Sequence, residues 1–229
     1  MISNKEPKKK LKCVQLMPGI RWFNLAAFLL LYMVTYICST LPDSFMTFIL
    51  RDKHYYDVPE DVLAKDLGII TTYTMITQIG VLLILGPIFD TLGRKSASLI
   101  GIFISGLSMA AVPQFHDIFP YFAILLCIMY AGWIVAAFAP FAPDYIHKGS
   151  LGLVNGMLEF MVCVAQLLSR PLMLKLSDII EDQAYLYYGI SAVTILVALF
   201  LVFALKDVVT DKKAERVKKA KIEDEQEKT

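Results

Sequence analysis

The chain has 229 residues, 57% of them hydrophobic and only 19% charged, with a formal net charge of +1. A typical soluble domain carries roughly 25% charged residues, so this composition excludes most soluble enzymes of this length. The charge is also segregated: five long stretches contain no Asp, Glu, Lys or Arg, and a sixth contains one.

An apolar stretch of about 18 residues or more can cross a bilayer as a helix. Six spans are predicted, at residues 22–41, 68–89, 96–113, 121–143, 150–169 and 185–205. A basic arm (residues 1–21) comes first, with Lys5, Lys8, Lys9, Lys10 and Lys12. A full-length span follows it, rather than a short apolar region with a small-residue cleavage site, so it is not a secretory signal. It is rich in Lys and nearly lacks Arg and Ser, unlike a mitochondrial presequence. Uncleaved inner-membrane proteins need no presequence, so the mitochondrial inner membrane is one location compatible with the sequence.

The first span is expected to end near Pro42 and Asp43. The longest loop follows at residues 42–66, although its apolar part, residues 44–50, can continue or flank the first helix. The second span runs into Gly86, Asp90, Gly93, Arg94 and Lys95, and then directly into the third, so these two spans are expected to be antiparallel neighbours. Gly86 permits a close helix crossing, and Gly93 the unusual torsions of a tight turn. Arg94 and Lys95 resist translocation at the inner surface. Asp90 can pair with them or accept hydrogen bonds from a helix N-terminus. The fourth span ends in a Pro-rich stretch, Pro140 to Asp144, and the fifth begins after Lys148 and Gly149. Trp22, Phe23, Tyr121, Phe122, Tyr185, Tyr187 and Tyr188 sit near span ends, where amphipathic rings favour the headgroup level. The tail (residues 206–229) holds eight basic and seven acidic residues and reads as a solvated helix or a disordered segment. With six crossings and the N-terminus inside, seventeen of the 22 Lys and Arg residues fall on the inner side. The positive-inside rule therefore puts both termini inside.

The Gly86, Asp90, Gly93, Arg94, Lys95 pattern resembles the inner-loop signature of the major facilitator superfamily. A weaker echo of the same family lies at Tyr145, His147, Lys148, Gly149 and Gly152, in the loop between spans 4 and 5. The resemblance implies an all-α polytopic membrane protein whose six transmembrane helices form one half of a facilitator, with a possible internal 3+3 relationship. Two departures stand out. The family typically has twelve spans, and in it the signature Asp also contacts a helix of the opposite half. Drug antiporters of the family carry an Arg four residues before a span-4 Gly, whereas here Ile128 precedes Gly132 at that spacing.

Glu159 is the single charge within span 5, about midway along it. A carboxylate at bilayer centre costs at least ~2.5 kcal/mol, so such groups face a cavity or a partner. Gly152, Gly156, Glu159, Cys163, Gln166 and Arg170 recur at steps of three and four, on one helical face, with Asn155 beside them. Glu159, Asn155 and Gln166 are thus candidates for lining a pathway or for gluing helices together. Gly152 and Gly156 allow close approach of a neighbouring backbone. Hydroxyls in spans 1 and 2, such as Thr35, Ser39, Thr72, Thr74 and Thr77, are expected to bond their own helices.

There is no phosphate-binding loop, no His-Glu-x-x-His and no Gly-x-Ser-x-Gly, so neither an enzyme nor a cofactor is expected. His54, His116 and His147 are scattered and make no metal-ligand set, and the basic arm lacks the aromatic platform of a nucleic-acid binder. Two functions remain. One is a half-sized facilitator-type transporter of a small solute, acting as an oligomer with a second half-facilitator chain. The other is a non-transporting accessory subunit of a larger membrane complex, such as an organellar energy-converting complex.

Overall fold

The computed structural model describes residues 14–180 and 182–207. The first 13 residues of the basic arm, the tail from residue 208, and the side chains of Asp43, Arg170 and Asp178 lie outside the described residues. Among the described residues, six helical segments are long and apolar enough to cross a membrane. Their helices are α1 (Trp22–Arg51), α2 (Glu60–Leu92), α3 (Arg94–Ala111), α4 (Ala123–Ala137) with a one-turn α5 (Ala142–Tyr145) after it, α6 (Leu151–Ile179) and α7 (Gln183–Ala204). The protein is an integral, multi-pass, all-α membrane protein.

Three helices outrun their predicted spans. Pro42 does not end α1, which continues to Arg51 and buries Phe45, Met46, Ile49 and Leu50. Pro87 and Pro171 likewise lie inside α2 and α6. In apolar surroundings the helix is what satisfies backbone groups, so a proline that would stop a helix in water is tolerated. At 1.5 Å per residue, the 30 residues of α1 reach about 45 Å, well past a hydrocarbon core of about 30 Å. The first loop shrinks accordingly, to residues 52–59. Of the predicted interfacial rings, Trp22, Phe23, Tyr121 and Tyr185 are exposed, but Phe122 and Tyr187 are core residues.

Helix pairing follows a two-fold rule. Exchanging α1 with α4, α2 with α6 and α3 with α7 turns the α1–α6 contact into α4–α2, and α3–α4 into α7–α1; the α1–α4 and α3–α7 contacts map onto themselves. The first triplet starts inside and the second outside, so the bundle is an inverted 3+3 repeat, the arrangement nested within facilitator halves. α2 and α3, joined through Gly93, meet only lightly; α2 packs chiefly on α4, and α3 on α4 and α7.

Small residues set these pairings. Lipid tails are as apolar as Leu, so hydrophobicity does not drive helices together in a bilayer, and close backbone approach does. α3 buries Ala97, Ser98, Gly101, Ser105, Gly106 and Ser108. Ser105 donates to the Met129 carbonyl at 2.8 Å, and Ser191 of α7 to that of Gly106 at 2.6 Å. An inner core gathers Phe28, Phe141, Tyr145, Val154, Leu158 and Leu201, and an outer core Ile49, Tyr56, Ile70, Phe122, Tyr130 and Tyr187.

Both ends of the described chain meet at the inner face. Gln15 to Met17 pair antiparallel with Tyr145 to His147: Met17 N–H donates to the Tyr145 carbonyl and His147 N–H to the Gln15 carbonyl, each at 2.9 Å. The buried Tyr145 hydroxyl accepts from Lys206 N–H at 2.8 Å and donates to the Lys206 carbonyl at 2.7 Å. Asn24 Nδ2 ties α1 to the end of α7 through the Ala204 carbonyl, at 2.8 Å.

Candidate functional site

The inner-loop residues are set by the turn between α2 and α3. Gly93 alone links them, at φ 79° and ψ 154°, a left-sided conformation that an L side chain would strain. Arg94 then opens α3. Because α3 packs on α4, the Arg94 guanidinium lies at the inner end of α4, where that helix breaks at Phe138. It donates to the Pro140 carbonyl, just beyond the end of α4, at 2.9 Å and forms an ion pair with Asp144. A cation near a helix C-terminus also meets the dipole favourably. The partner of Arg94 is therefore Asp144 and not Asp90. The acidic residue closing the Pro-rich stretch, at the same membrane level as Arg94, was the sequence signal for it. Asp90 is exposed and has no hydrogen bond or ion pair among the described residues. Lys95 is half-buried, without an ion pair among them. Gly86 is exposed, and a Cβ there would meet nothing within 4 Å. The close crossing expected at Gly86 does not occur within this chain.

The symmetry-related outer end has its own clasp. Tyr55, just after α1, donates to Asp182 Oδ1 at 2.6 Å; the same oxygen caps α7 by accepting from Ala184 N–H at 2.9 Å. Burial, and then the Asp182 carboxylate, hold the Tyr55 hydroxyl well above the ordinary tyrosine pKa. Tyr56 is shifted in the same direction by burial, and donates to the Val112 carbonyl at 2.7 Å.

α6 has two contrasting faces. Val154, Leu158, Val162, Ala165 and Ser169 are buried, and α1 is the helix that α6 packs on most extensively. Gly152, Asn155, Gly156, Glu159, Cys163 and Gln166 are all exposed. A Cβ on Gly152 or Gly156 would meet nothing within 4 Å, so the close approach they permit is not used inside the chain. Among the described residues the glycines that do mediate contact between helices are Gly101, Gly106 and Gly132, none of which sits in a Gly-x-x-x-Gly pair. Symmetry-related α2 is similarly bare, with Tyr73, Met75, Ile76, Ile79 and Leu83 exposed.

Between these two bare helices lie the partly exposed rings of Tyr32 and Tyr36 on α1 and of Trp133 on α4. The Glu159 carboxylate is within electrostatic reach of Tyr32. Most span hydroxyls serve their own helices: Thr35, Ser39, Thr72, Thr74 and Thr77 donate to carbonyls three or four residues back. The interior space between α1, α3, α4 and α7 is about 10 Å³, room for one water and not for a solute.

A bundle of six spans, an inverted 3+3 repeat and a one-glycine inner turn ending in Arg94 match one family. The Major Facilitator Superfamily matches residues 23–227 of the sequence. The chain belongs to this superfamily. No curated protein matches the sequence significantly. Membership supports a facilitator-type membrane transporter, since members of the family are transporters rather than enzymes. In a facilitator, the pathway lies between two six-helix halves, at the repeat interface.

Proposed function

We propose that this chain is half of a facilitator-type carrier for a small solute, and that it works as an oligomer in which a second six-helix half supplies the opposing wall. The observation carrying this reading is the exposure of polar groups on α6. Only the strip from Val154 to Ser169 that packs on α1 is buried, and Asn155, Glu159 and Gln166 are exposed at membrane depth together with Leu153, Phe160, Leu167 and Leu168. A carboxylate facing lipid there would cost several kcal/mol, so that face requires a cavity or a polar neighbour. Glu159, Asn155 and Gln166 line the pathway in this reading, and Gly152 and Gly156 admit the backbone of the opposing half. Asp90, at the inner surface and without a partner among the described residues, is available to a helix of that half. Arg94, paired with Asp144, braces the inner gate region along with Lys95.

The test is purification in mild detergent, followed by mass measurement and solute uptake in proteoliposomes. A homodimer, or a one-to-one pair with another six-helix half, that supports uptake is the expected result. A stoichiometric assembly with unrelated subunits and no uptake would overturn the carrier reading in favour of an accessory subunit.

A further inference from the structure

What surrounds Glu159 specifies the kind of solute its face would hold. α1 and α6 run parallel, in a register tied by Thr40 Oγ1 donating to Ser169 Oγ at 3.1 Å. Counting back from that bond at 1.5 Å per residue brings Glu159 to within about two residues of the level of Tyr32, on the flank of α6 next to the buried Leu158, while Tyr32, Met157 and Met161 pack on the same inner core. From Tyr32 a run of rings crosses to α4. Tyr32 and Tyr36 have centroids 5.1 Å apart, and Tyr36 meets Trp133 edge-on at 5.8 Å. All three rings are partly exposed, and Glu159 is exposed at the level of the first of them.

A carboxylate and aromatic rings both attract cations, the first by charge and the second by the quadrupole of the ring. They disfavour anions for the same reasons. No Lys or Arg lies along this part of α1, α4 or α6, and Arg94 is engaged by Asp144 at the inner end. For a bare metal cation the wall has too few oxygens: hard cations take six or more ligands, Glu159 is the one carboxylate within residues 150–169, and the Thr35 and Ser39 hydroxyls are buried in the core. An ammonium with an apolar substituent fits better, because the ring faces replace its hydration shell. We infer that the Glu159 face selects organic ammonium solutes, the charged group on Glu159 and the apolar part against Tyr32, Tyr36 and Trp133. This inference rests on the pathway reading above.

The chain has two tryptophans, Trp22 and Trp133. Trp22→Phe therefore makes Trp133 the sole indole reporter in the full chain. The probes are cyclohexylammonium, cyclohexanol and cyclohexanecarboxylate, three solutes of similar shape and different charge. Cyclohexylammonium should change Trp133 emission saturably, with a midpoint at least tenfold below those of the other two. Glu159→Gln in the same background should raise that midpoint at least tenfold, with unchanged elution volume and helicity. Equal midpoints for the three probes, or a Gln variant that titrates like its parent, would overturn the inference. The comparison of probes on the Glu159 chain decides the matter even if the variant fails to fold. Uptake of cyclohexylammonium is measured separately. Charge-selective binding without uptake of any solute would sink the carrier reading and leave the ammonium site standing. Uptake of a neutral or anionic solute without charge-selective binding would do the reverse.

Discussion

Gly101 on α3 and Gly132 on α4 face each other so closely that a Cβ on either would overlap the carbonyl oxygen of the other. A Cβ on Gly132 would also come within 2.6 Å of Ser105 Oγ. Both obstacles in the α3–α4 seam include backbone, which cannot rotate away. Gly132→Ala is therefore expected to force the helices apart, at a cost of about 1–3 kcal/mol or more, the range for overpacking a close contact. The check is thermal unfolding of the purified chain; a midpoint within a degree of the parent would contradict it.

Gly156→Ala is the contrasting substitution. Nothing lies within 4 Å of a Cβ there, and Ala favours a helix over Gly by about 0.8–1.0 kcal/mol. Stability of the isolated protomer should hold or rise. Gly156→Leu should weaken association with the second half by tenfold or more, read by dilution in detergent with native mass measurement. Association unchanged by Leu would show that this face receives no close neighbour.

Removing the Arg94 guanidinium leaves both the Asp144 carboxylate and the Pro140 carbonyl without their donor. The pair is partly exposed, at 29% and 18% for the two side chains, so the loss is set well below that of a fully buried pair. Arg94→Ala is expected to cost about 1–3 kcal/mol. Arg94→Lys should recover only part, because one guanidinium nitrogen, Nη1, meets both acceptors and the ammonium on the shorter lysine stem stops short of that position. Unfolding curves of the two variants beside the parent give the comparison.

The outer clasp predicts a pH dependence. Folding raises the pKa of Tyr55, first through burial and then through Asp182. A group raised on folding contributes stability that is whole below its unfolded pKa, about 10 for tyrosine, and declines as pH rises from there through the higher folded value. Thermal stability should be level from neutral to about pH 10 and fall above it. Tyr55→Phe should lower stability by about 1 kcal/mol at neutral pH and flatten part of the alkaline fall. Tyr56, shifted in the same direction, accounts for a remainder. Asp182→Ala removes both the Tyr55 acceptor and the α7 cap, so it should cost about 1–2 kcal/mol. A Phe variant with an unchanged alkaline profile would refute the linkage.

Glu159→Gln keeps the shape of the side chain and removes its charge. Uptake should fall at least tenfold while the mass of the oligomer stays the same. Full uptake, or loss of the oligomer, would instead make Glu159 a packing residue.

The six apolar spans and the tight turn at Gly93 were legible in the sequence. Each depends on a local window: the cost of placing charge in hydrocarbon and the torsions of a single glycine. Helix ends were less legible: the first was expected near Pro42, and a proline stop is a rule learned in water, whereas α1 runs on to Arg51. Neighbours were not legible. Gly86, Gly152 and Gly156 looked like contact points but are bare, whereas Gly101 and Gly132 carry the closest approach. Asp144, not Asp90, receives Arg94, because α3 leans on α4 and not on α2. In a bilayer every apolar face is equally content with lipid, so hydropathy contains no instruction about which helices touch. That choice falls to shape and hydrogen bonds between segments distant in the chain, and it leaves Glu159 on an outer face.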